Sequence, residues 1–146
     1  MARFKFRLNN LLNIKIRLED QAKAEYGMEQ IKLNEEEEKL LAVIARKDGS
    51  EALLKNALTG NIDVLDIEEK QHGLDVMKLK VQEQTEARDA QRRRTDAARA
   101  KLDEAMKERK TYEKLKEKAF EEFKKEISRE EQKEIDELVS FRHGRT

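Results

Sequence analysis

Residues 47–63 read KDGSEALLKNALTGNID, the densest group of chain breakers between two long helix-forming arms. Asp48 and Gly49 are expected to stop a first helix, and Ser50 with Glu51 has the character of a new helix start. The stretch SEALLKNAL can form a short amphipathic helix. Gly60 and Asn61 then break the chain again, and a second long helix is expected from near Asp63. Read this way, residues 49–62 are a tip at which the chain doubles back.

Composition supports long helices over a compact core. Of 146 residues, 44% are charged, 37% hydrophobic and 5% aromatic, with five glycines and neither tryptophan nor proline. That is too little bulky apolar material for an ordinary domain of this length. Disorder is favoured by high net charge and by proline, but here 32 basic residues balance 32 acidic ones. Ala, Glu, Lys, Leu, Arg and Gln dominate, all strong helix formers. Without cysteine there is no disulfide, thiolate nucleophile or cysteine-built zinc site, a pattern that fits a reducing compartment. No apolar run approaches the length of a membrane span. Zero net charge argues against bulk nucleic-acid binding.

The first arm, residues 8–48, carries Leu11, Leu18, Ala22 and Tyr26 on one stripe, and Tyr26, Leu33 and Leu40 at heptad spacing. Gly27 costs about 1 kcal/mol relative to Ala and suggests a bend. The second arm, residues 63–140, begins its apolar line with Ile62, Leu65, His72, Val76 and Leu79. Ala87, Ala90, Ala97 and Ala98 follow, then Leu102, Ala105, Tyr112, Ala119, Phe123 and Ile127. An alanine-lined seam buries little area, so pairing is expected to be slender and weak. At 1.5 Å per residue the arms would be about 60 Å and about 115 Å long, leaving the second with an overhang. The expectation is all-α: a long antiparallel two-helix coiled-coil hairpin with a longer second helix, residues 1–146 forming one rod. The irregular heptads of the second arm disfavour a long parallel dimer, so a monomeric hairpin is expected.

The opening FKFRLNNLLNIKIRLEDQAKAEYG, residues 4–27, has no acidic residue before Glu19. A targeting presequence and a membrane-surface helix are both readings of it, but it lacks a small-residue cleavage site, and Lys15 and Arg17 interrupt its apolar positions. Continuity into Ala22 and Tyr26 favours the start of helix one. The basic run QRRRTDAARAK (91–101) and the acidic EEEEK (35–39) read as solvated helix faces. His72 and His143 lack a Cys or Ser partner at catalytic spacing, and Gly49, Gly60 and Gly73 are too isolated for a phosphate loop. No cofactor or metal site and no enzyme are encoded in recognisable form. Near the C-terminus, YEKLKEKAFEEFKKEISREEQKEIDELVSFR (112–142) sets Phe120, Phe123 and Ile127 on a very polar helix. They can form a local seam with Phe4, Phe6 and Leu8, or anchor a partner; both readings stand.

Together the two ends resemble the FliJ family of flagellar type III export, most specifically in REEQKEIDE (129–137), where Arg129, Gln132, Asp136 and Glu137 match the family pattern. The resemblance implies a soluble, cytoplasmic protein, peripheral at the flagellar base through its partners and similar to the central stalk of a rotary ATP synthase. It implies binding to the hexameric export ATPase, to the cytoplasmic domain of the export gate and to substrate chaperones. The implied ATPase contacts are Phe4, Phe6, Leu8, Phe120, Phe123, Arg129, Gln132, Asp136 and Glu137. Those toward the gate are Leu40, Leu41, Ile44, Leu65 and His72, with EKQHGL (69–74) similar to a Gln-His step in some members. A generic structural coiled coil, an injectisome stalk protein, or a basic nucleic-acid or membrane-surface binder are the alternatives.

Overall fold

A computed structural model describes residues 3–144. Met1, Ala2, Arg145 and Thr146, which the expected 1–146 rod included, lie outside them. Two helices form the described chain: α1, Asn9–Ala57, of 49 residues, and α2, Val64–Gly144, of 81 residues. They pack antiparallel as a two-helix coiled-coil hairpin, and no strand occurs among the described residues.

The turn is tighter than the sequence suggested. Gly49 lies inside α1, which runs unbroken through Ser50 and Glu51 to Ala57. A mid-helix glycine costs about 1 kcal/mol, a penalty that packing along the rest of the helix outweighs. The true stop is local. The Leu58 N–H donates to the Leu54 and Lys55 carbonyls, Thr59 Oγ1 donates to the Asn56 carbonyl at 2.8 Å, and Gly60 takes φ of 80°. That left-handed conformation reverses the chain and is cheap only for glycine. Asp63 then caps α2, its Oδ1 accepting from the Leu65 N–H at 3.1 Å.

The chain divides into two compact units. The first contains the ends of the sequence, up to Gln21 and from Asp103 onward. On its α1 side the covered positions are Leu8, Leu12, Lys15 and Glu19. Against them lie Ala105, Arg109, Tyr112, Lys116, Ala119 and Phe123 of α2. Leu12 and Glu19 are both 4% exposed, so a carboxylate is as deeply covered as the best core leucine. Arg109 Nε donates to Glu19, its Nη1 donates to Glu113 at 2.8 Å, and Lys15 Nζ pairs with Glu108 at 2.9 Å.

The second unit is Ala22–Leu102. Its α1 seam runs through Ala22, Tyr26, Glu29, Leu33, Glu36, Leu40, Val43 and Lys47, and continues to Ala57 at alternating steps of three and four. On α2 the matching line is Ile67, Lys70, Leu74, Met77, Val81, Gln84, Arg88, Gln91, Thr95, Ala98 and Leu102. The heptads of α2 are therefore regular, but half of their covered positions are polar. Gln91 reaches both the carboxylate and the backbone carbonyl of Glu29, Thr95 Oγ1 lies 3.2 Å from that carbonyl, and Gln84 does for Glu36 what Gln91 does for Glu29. Every buried side-chain polar atom among the described residues is satisfied, as a buried amide must be if it is not to cost stability.

Three sequence expectations are corrected here. Ile62, Leu65, His72 and Leu79 are exposed, and the seam runs instead through Ile67, Leu74, Met77 and Val81. Leu11 and Leu18 point away from the seam, at 41% and 43% exposure. Ala87 and Ala97 are exposed, whereas Ala90 is half-buried and Ala98 buried. Counting apolar residues misses a seam in which Lys15, Glu19, Lys70, Gln91 and Thr95 take covered positions while other apolar residues stay outside.

The polar seam makes stability depend on pH at both extremes. The hydrogen bond from Gln84 holds the Glu36 carboxyl below its ordinary 4.5; partial burial opposes this and Lys39 reinforces it. Its contribution is complete above pH 4.5 and is lost as pH falls through the lowered value. The hydrogen bond to Glu108 raises Lys15 above its ordinary 10.5, so that contribution is complete below pH 10.5 and is lost as pH rises through the raised value. Thermal midpoints followed by circular dichroism should show a plateau between these limits. In Glu36→Gln the acid-side fall should be shallower; an unchanged acid limb would exclude Glu36 as a contributor.

Candidate functional site

In the first unit, residues 3–6 precede α1 without helical structure and lay Phe4 against α2. The Phe4 ring lies 5.1 Å from Phe120, edge-on at 63°, and 5.4 Å from Phe123. Such pairs contribute about 0.5–1.5 kcal/mol beyond area burial. Phe6 and Leu8 are half-buried beside them. Phe120 stays 40% exposed with Lys124 Nζ 4.7 Å above its ring. Phe4, Leu12, Ile16 and Phe120 floor an open groove of about 600 Å³, rimmed by Glu113, Lys116 and Glu117. The cluster is thus both a local seam and a surface, so the two readings of Phe120 and Phe123 are parts of one arrangement.

Beyond Ile127, α2 continues with every described residue exposed. Arg129, Gln132, Asp136 and Glu137 all lie on this extension, and Gln132 Nε2 donates to Asp136 Oδ1 at 3.2 Å. They share an element with the phenylalanines but sit apart from the ring cluster. The extension also carries Ile135, Leu138 and Val139, exposed by 53%, 64% and 48%. Sequence reading missed these as a surface, although their i, i+3, i+4 spacing puts them on one helical face.

In the second unit the tip-side residues divide by burial. Leu40 is 8% exposed and belongs to the seam, whereas Leu41 is 68% exposed and Leu65 76%. Ile44 is half-buried and His72 is exposed, off the seam line on which the sequence set it. Leu53, Leu58, Ile62 and Val64 are also exposed around the turn, a patch visible in the sequence only once the turn is placed at 58–63. The basic run 91–101 lies partly within the fold. Gln91 and Thr95 are buried, Arg92 pairs with Glu37 at 3.3 Å, and Arg99 lies 3.5 Å from the Tyr26 hydroxyl. Among the described residues no cluster of His, Asp or Glu is arranged to hold a metal ion, and no helix is long and apolar enough to cross a membrane.

A hairpin with a polar, satisfied seam and apolar residues left outside it is a protein of the two-helix coiled-coil class. The profile described as Flagellar FliJ protein matches residues 4–146, and the chain belongs to that family, a component of flagellar type III export. Among solved structures, a YscO homologue, CT670 from Chlamydia trachomatis, is similar at 23% identity and a TM-score of 0.49. The match covers 97% of this chain and 96% of that one. No curated protein matches the chain.

Proposed function

We propose that this protein binds the hexameric export ATPase as a stalk-like activator and assembly factor, using the paired ends of its chain. The observation that carries the reading is where pairing stops: at Phe4, Phe120 and Phe123, beyond which α2 runs on exposed. Its surface there mixes Arg129, Asp136 and Glu137 with apolar positions, suited to many weak contacts inside a ring. Phe6, Leu8 and Gln132 complete the contact set. Toward the tip, Leu41, Ile44, Leu65 and His72, together with Leu40 of the seam, would meet the cytoplasmic domain of the export gate. Substrate chaperones would be further partners, and the protein would act in the cytoplasm, peripheral to the membrane at the flagellar base.

The test is the hydrolysis rate and hexamer fraction of the cognate export ATPase with and without the protein. Both should rise at sub-stoichiometric ratio, since one stalk serves one ring. Deleting residues 1–18 should abolish the effect while most helicity remains; activation that survives the deletion would remove the terminal residues from the contact set.

A further inference from the structure

The first unit leaves two apolar faces outside its seam. On α1, Leu11, Ile14 and Leu18 lie on one helical face, exposed by 41%, 48% and 43%. The charged residues around them before Glu19 are all basic: Arg3, Lys5, Arg7 and Arg17 are exposed, and Lys15 is turned to Glu108. On the α2 extension, Ile135, Leu138 and Val139 form the second face, with Glu131 and Glu134 beside it, Asp136 at its margin and Arg142 one turn beyond. One face is apolar and basic, the other apolar and predominantly acidic. They cannot meet within one chain, because α2 carries its face past the Phe4 contact and away from α1.

We propose that these faces pair between two copies of the chain, each extension lying along α1 of the other in a two-fold dimer. The spacing fits. At helical and extended rises, Ile14 and Ile135 both lie about 20 Å from the Phe4 contact. An extension leaving its own hairpin would therefore bring its apolar face beside that of a second hairpin approaching end to end. Two-fold symmetry makes the contact twice, doubling the buried area and closing the assembly. Charge also favours this pairing, since Arg7 and Arg17 beside one face would meet Glu131 and Glu134 beside the other. The dimer would occupy the end that the reading above assigns to the ATPase. That consequence rests on the reading above, whereas self-association is measured with the protein alone.

Sedimentation velocity over about 1–100 µM should show a concentration-dependent shift from a 17.2 kDa monomer to a dimer, weakened by salt. Arg7→Glu/Arg17→Glu and Glu131→Lys/Glu134→Lys should each weaken dimerisation at least about tenfold. Mixed together, the two variants should form a dimer again, because every face then meets its opposite. Circular dichroism verifies that both remain folded. A wild-type chain that stays monomeric throughout, including one that instead binds anionic phosphatidylglycerol vesicles, would overturn the proposal. So would reversal variants that dimerise like wild type, or that fail to recover on mixing.

Discussion

Leu74→Ala should lower unfolding stability by about 2–3 kcal/mol, whereas Leu79→Ala, about one and a half turns further on, should change it by less than about 0.5 kcal/mol. The two leucines lie on the same helix in similarly charged surroundings. They differ in burial: Leu74 is 5% exposed and Leu79 is 60% exposed. The low end of the usual Leu→Ala range applies because two helices can close partly on the gap, which a three-dimensional core does less easily. Against the few kcal/mol available to a domain of this kind the loss is large. Leu40→Ala and Leu41→Ala form an independent pair, at 8% and 68% exposure. Urea midpoints with unchanged slope would measure both contrasts. Equal losses at Leu74 and Leu79 would mean that the seam of the second unit is out of phase with the one described here.

That contrast also marks how far the sequence carries. The fold class was legible: strong helix formers, no proline and breakers concentrated at residues 47–63 leave little but a helical hairpin. Between Leu102 and Ile127 the phase was legible too, since Leu102, Ala105, Tyr112, Ala119, Phe123 and Ile127 are all half-buried as their spacing implies. Phase failed from Ile62 to Leu79 and from Leu11 to Leu18. In both places apolar residues decorate the outside while a lysine, Lys15 or Lys70, takes a covered position. A pattern rule assigns apolar residues to the inside, so it inverts wherever partners lie outside. The helix stop failed for a different reason: Gly49 is a weak local signal that pairing overrides, and Gly60 is the position that needs positive φ.

For the site, the ring cluster was legible because Phe4, Phe6, Phe120 and Phe123 are four of only five phenylalanines in a chain of low aromatic content. Their mutual geometry was not, since it depends on a non-helical segment at residues 3–6 that no periodicity describes. Leu40 holds the seam, as its heptad spacing from Tyr26 and Leu33 implies, whereas His72, set on the apolar line, faces solvent.

Arg109→Met should destabilise the first unit far more than Arg129→Met, although both remove one guanidinium from α2. Arg129 is exposed on the extension. Arg109 donates to Glu19, which is 4% exposed, and to Glu113, and these hydrogen bonds hold its guanidinium pKa above the ordinary value. Without it, a carboxylate that is 4% exposed loses its cationic partner on α2. Removing one partner of a covered ion pair costs more than the pair contributes, because desolvation of the remaining charge is no longer offset. The double change Glu19→Leu/Arg109→Met should therefore recover most of the lost stability, since two apolar side chains suit the same space. A double-mutant cycle on urea midpoints isolates the coupling. If the double variant is as unstable as the single one, Glu19 is not a covered charge and the seam of the first unit is looser than its geometry indicates. Full recovery with melting sharper than wild type would identify the pair as a device that fixes how α1 and α2 align, retained at a cost in stability.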